Sequence, residues 1–153
     1  MARTAAGDYE RAQTALARAL EVAPQRHGTR WILSVALVAG GRSAAALAVA
    51  EQSELAWARL TGVALAQHAL GRPRESQAAL EALVLANATD AAYQIAEIHA
   101  WRGEVDLAFH WLERARLQLD GGVRWVKTDP MFRKIRGDPR FPALLKKLNL
   151  PVD

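Results

Sequence analysis

The chain has 153 residues, of which 51% are hydrophobic and 24% charged, and it contains no cysteine. Such a length and apolar share suit a folded domain with a real core, while the missing thiols exclude disulfides, thiol catalysis and Cys-ligated zinc. The net charge of +4 is concentrated at one end: residues 1–120 hold 12 Arg against 13 acids, and residues 121–153 hold eight cations against three acids.

Ala and Leu dominate the apolar set, and strand-favouring aromatics and Thr are scarce, which points to an all-α fold. In chain order, "DYERAQTALARALEVA" (residues 8–23) reads as a helix opening after Gly7, with no first-helix partner in front of it. Residues 29–53 follow as a hairpin, "TRWILSVALVAGG" then "RSAAALAVAEQS", broken at Gly41. Residues 54–87 form a second hairpin broken at Gly71, and residues 89–118 a third broken at Gly103. Gly7, Gly41, Gly71 and Gly103 thus recur at steps of 34, 30 and 32 residues. Glycine at each break can take positive φ and close the first helix without a Cβ penalty. Small residues (Ala12, Ala64, Ala96, Ala108) are expected where helices cross, with Leu16, Leu80 and Leu112 filling the space between neighbours. A helix–glycine–helix unit repeated at this period predicts a stack of hairpins.

The last segment, residues 122–150, departs from the repeat. It holds Asp-Pro twice, at 129–130 and 138–139. Asp accepts from orphan N–H groups and Pro costs nothing at the first helical position, so each pair predicts a helix start, with helices over 130–136 and 139–148. Their apolar residues (Phe132, Ile135, Phe141, Leu144, Leu145, Leu148) suit packing onto the last hairpin as a cap.

The glycine-hinged hairpins resemble tetratricopeptide repeats. Gly7, Tyr9, Ala12, Leu16, Ala19 and Pro24 match the family's second-helix pattern, and Gly103, Ala108, Leu112 and Ala115 match it without the Pro. The resemblance covers residues 7–118; Ser76 stands where Ala is usual. It implies a right-handed α–α superhelix, here a single domain over 1–153 closed by the C-terminal helices. The end of the chain looks like the "DP-x-F-x-x-[IL]-R-x-D-P-R-F-x-x-L-L" segment that closes many bacterial repeat proteins. That similarity implies a bacterial regulatory parent, of which this chain is expected to be the C-terminal fragment.

Motifs of catalysis are missing. "VAGGRSA" lacks the Gly at 36 and the Lys at 42 that a phosphate loop requires, and neither Gly-x-Ser-x-Gly nor His-Glu-x-x-His occurs. His110 and Glu113, with His99, make a poor metal set. The expectation is therefore a non-enzymatic chain with no catalytic residue, metal or cofactor. The longest apolar run is too short to span a bilayer, and the cytoplasm is the expected compartment.

The family's groove positions, carried over by the glycine landmarks, fall on Trp31, Val35 and Val38, then Thr61, Leu65 and His68, then Asp90, Tyr93, Glu97 and Trp101. By resemblance these would line a concave face that binds a peptide or helix of a protein partner. Ordinary inter-helix packing of the aromatics is the competing reading. No Lys precedes Lys127, and groove acids oppose an acidic chain end, so the clamp that holds the C-terminal carboxylate of heat-shock chaperones is disfavoured. Two alternatives remain. One is a homodimer through the orphan leading helix. The other is weak nucleic-acid binding through Arg133, Lys134, Arg136, Arg140, Lys146 and Lys147, which interleave with Trp125, Phe132 and Phe141; the modest charge weighs against it.

Overall fold

The computed structural model describes the backbone of residues 2–153 and the side chains of residues 8–26 and 28–153. Among these residues the chain is all-helical and has no strand. Its α-helices are α1 (Ala2–Val22), α2 (His27–Ala39), α3 (Ser43–Glu51), α4 (Ala56–Ala69), α5 (Pro73–Asn87), α6 (Ala92–Arg102), α7 (Val105–Leu117) and α8 (Arg140–Lys147). Two 3₁₀ segments, Gly121–Trp125 and Pro130–Ile135, lie between α7 and α8.

Gly41, Gly71 and Gly103 take φ of +78°, +74° and +79°. Each closes its helix with the same pair of bonds: Arg42, Arg72 and Glu104 donate their N–H to Leu37, Gln67 and His99, while the glycine N–H reaches the carbonyl three residues back. This is the helix-ending motif that glycine enters without strain. Gly7 behaves otherwise. It lies inside α1, so the break expected there is absent and the leading helix starts at Ala2.

Where one domain over 1–153 was expected, the contacts gather into two compact units, Met1–Ala82 and Leu83–Asp153. In the first, α2 packs against α1, α3 and α4, and α3 packs against α4. Their meeting point is tight: a Cβ on Gly62 of α4 would come within 2.6 Å of Ala50 Cβ and 3.1 Å of Ser34 Oγ. Leu33, Leu37, Val38, Ala46, Ala58, Ala64 and Leu65 fill this core. Ser76, on α5, is fully buried, and its hydroxyl donates to the Ala64 carbonyl at 2.7 Å. That bond satisfies the polar atom a serine brings to a position where the resembled pattern has Ala.

α1 meets α2 through a polar tie. Gln13 Nε2 donates to the Ala36 carbonyl at 3.1 Å, and Arg42 donates to Gln13 Oε1 at 3.1 Å. Ala12, expected at a helix crossing, is exposed.

In the second unit α6 is the centre: residues 91–100 are all buried. α7 pairs with it, and both 3₁₀ segments pack on it. Asp129 Oδ1 accepts from Met131 N at 2.9 Å and Asp138 Oδ1 from Arg140 N at 2.9 Å, so each Asp-Pro pair opens its helix by the bond expected of it. The first of these helices winds as 3₁₀. Val126, Met131, Phe132 and Ile135 sink into the unit almost completely.

Candidate functional site

Six of the expected groove residues lie in the first unit. Val35, Val38, Thr61 and Leu65 are buried there, because the facing sides of α2 and α4 are spent on each other; Thr61 Oγ1 turns back to donate to the Trp57 carbonyl. These four have no surface to offer a partner, which removes them from the expected face. His68 and Trp31 are half-buried.

Trp31 meets the half-buried Trp57 edge to face, with ring centroids 5.7 Å apart and planes at 67°. The pair joins the N-terminal ends of α2 and α4. The chain neighbours Ile32 and Leu55 are 46% and 37% exposed. Trp57 lies outside the expected groove set; the signal that could have found it is that both tryptophans stand near the start of the first helix of their hairpins.

The other four expected residues lie in the second unit, and there the chain's own tail packs on Tyr93 and Trp101. Tyr93 and Glu97 are fully buried. Tyr93 Oη donates to Asp129 Oδ2 at 2.8 Å, its backbone N–H to Asp120 Oδ2 at 3.2 Å, and its ring lies 5.3 Å from that of Phe132. Gly122 presses on the same ring so closely that a Cβ would stand 2.6 Å from it. Burial first, then the carboxylates of Asp129, Glu97 and Asp120, push the Tyr93 phenol far above its ordinary pKa, so it stays a donor. Trp101 is half-buried; Lys134 Nζ donates to its carbonyl and stands 5.1 Å from the ring centroid. Asp90 alone of the four is exposed, accepting from Asn87 Nδ2. The expected binding face on α6 is thus a docking face for residues 120–135.

The basic tail is knitted into the protein in the same way. Arg136 donates to the Asp129 carbonyl at 2.7 Å. Arg140 bonds Asp138 and Asp106 and lies 4.6 Å over the Phe109 ring. Lys147 pairs with Glu113 at 3.5 Å, whose carboxyl is held below its usual range chiefly by the bond from Arg116. Arg133 and Lys146 are exposed. Of the interleaved aromatics, Phe132 and Phe141 are buried and only Trp125, 63% exposed, could stack on a base. His99 sits 3.4 Å from Glu104, yet burial outweighs that carboxylate and lowers the imidazole pKa. Among the described residues no three metal-ligating side chains converge, and no helix is long and apolar enough to cross a membrane.

One feature escaped the residue pattern. An open groove of about 730 Å³ runs between α1 and α3, with Leu33 and Leu37 of α2 as its floor. The α1 side is a stripe of Glu10, Thr14, Ala17, Arg18 and Glu21. Comparison with protein-family models, with curated proteins and with solved structures finds no match.

Proposed function

We propose that the chain is a protein-interaction module of the tetratricopeptide type, a right-handed stack of hairpins acting by binding rather than catalysis, within a bacterial regulatory protein. Its partner contributes a peptide or helix that docks on the first unit. The observation that carries this reading is the Trp31–Trp57 pair, half-exposed beside Ile32 and Leu55. Tryptophans supply large contact area at little entropic cost and dominate the energetics of protein interfaces. Two edge-to-face rings at the mouth of adjacent helices give a rigid anchor. On α6 of the second unit Tyr93 is buried under Asp129 and Phe132, and Lys134 lies against Trp101, which favours the first unit as the binding region.

Selection of displayed peptides against the purified chain tests this. Enriched peptides should lose at least about thirtyfold in affinity on Trp31→Ala, the scale of a hot-spot truncation. Ile32→Ser, a substitution at an exposed position, should weaken binding with little loss of stability. Failure to enrich any peptide, or peptides that bind Trp31→Ala and Ile32→Ser as well as the parent, would reject the assignment.

A further inference from the structure

We infer that the outer face of α1 is a self-association surface, on which α1 of a second copy lies antiparallel and crosses at Thr14. Glu10, Thr14, Ala17, Arg18 and Glu21 line the open groove beside α2 and α3, and the i, i+4, i+7, i+8, i+11 spacing places them on one side of the helix. All five are exposed. Among the described residues, none of the three charges is in an ion pair.

The order of charges selects the occupant. Glu10 and Arg18 stand eight residues apart, about 12 Å along the axis, with Thr14 midway. Two copies packed antiparallel about Thr14 bring Glu10 of each opposite Arg18 of the other, so both ion pairs form at once in a two-fold symmetric contact. A parallel pair sets Glu10 on Glu10 and Arg18 on Arg18. An antiparallel pair slid by three positions sets Glu10 on Glu21. Both alternatives juxtapose like charges, which costs affinity and disfavours those registers. Thr14 and Ala17 keep the crossing low, so the backbones can approach.

Sedimentation at several concentrations of the full chain tests the inference. A monomer–dimer equilibrium is expected. Glu10→Arg should weaken it at least about tenfold, since it sets two arginines opposite each other in both pairs, and Arg18→Glu should do the same with glutamates. An equimolar mixture of the two variants should restore dimer, as should the double variant, because each again pairs opposite charges. Circular dichroism should show both single variants folded, as both positions are exposed. Trp31→Ala should leave the dimer intact, which separates this surface from the proposed peptide site. A chain monomeric at every concentration, a dimer indifferent to both reversals, or a mixture that fails to recover overturns the inference.

Discussion

Removing one oxygen from Tyr93 tests how the tail is held. Tyr93→Phe keeps the ring, and with it the contacts to Phe132 and Gly122, but deletes the hydroxyl that donates to Asp129 Oδ2 at 2.8 Å. A hydrogen bond to a charged acceptor contributes about 1.5–3 kcal/mol, and the carboxylate left behind is buried. Asp129 keeps its second bond, from Met131 N, so the loss should fall near the middle of that range, about 2 kcal/mol. Asp129→Ala strands both donors and should cost more, about 3–4 kcal/mol by the same reckoning. The double variant should cost less than the sum of the two, with a coupling of about 1–2 kcal/mol. Urea denaturation followed by far-ultraviolet circular dichroism reads these values, with the midpoint falling and the slope unchanged. Tyr93→Phe within about 0.5 kcal/mol of the parent, the scatter of surface substitutions, would refute the claim that this bond helps to hold the tail on α6.

Three further outcomes are expected. Leu119 takes φ of +58° at the end of α7 and is 89% exposed; Leu119→Gly should stabilise the chain by about 1 kcal/mol in the same assay, because a left-handed leucine is strained and glycine is not. Gly62→Ala should destabilise by about 1–3 kcal/mol, since its methyl meets Ala50 Cβ in a packed core. Asp138, bonded by the Arg140 side chain and backbone, is lowered from 3.8 to about 2; carbon-detected titration should find it there, and Arg140→Gln should return it toward the usual range. Because the folded value is the depressed one, any stability this pair contributes is complete above the unfolded value and is lost as the pH falls from about 4 toward 2.

The hairpin turns were legible because their chemistry is local. Only glycine enters the left-handed region freely, so Gly41, Gly71 and Gly103 announced three helix ends. Leu119 and Asn149 end α7 and α8 by the same pair of bonds, and Leu119 gave no sign of it. Gly7 misled for the converse reason: a glycine within a long helix costs about 1 kcal/mol, which tertiary packing can offset. Asp129 and Asp138 were legible as helix starts, since a side chain two residues from its partner leaves a local signature.

The tail was expected on the last hairpin and packs there, on α6; which face of that helix it covers was not legible. Its key contact joins residues 93 and 129, and apolar periodicity identifies a face without naming what covers it. The same limit explains the groove residues. Tyr93, Glu97 and Trp101 were expected on an open concave surface, but a face that one chain leaves open another can close with its own C-terminal segment. Gly122 and Phe132 on the Tyr93 ring, with Lys134 against Trp101, do this here. A face already covered by these contacts gains little from a second ligand, which would first have to displace them. Surfaces not yet spent on folding can still yield binding energy, among them the tryptophan pair at the heads of α2 and α4 and the charged stripe of α1. The first offers apolar area without a defined partner geometry. The second offers a charge order that its own antiparallel copy satisfies, and so it carries the more specific expectation.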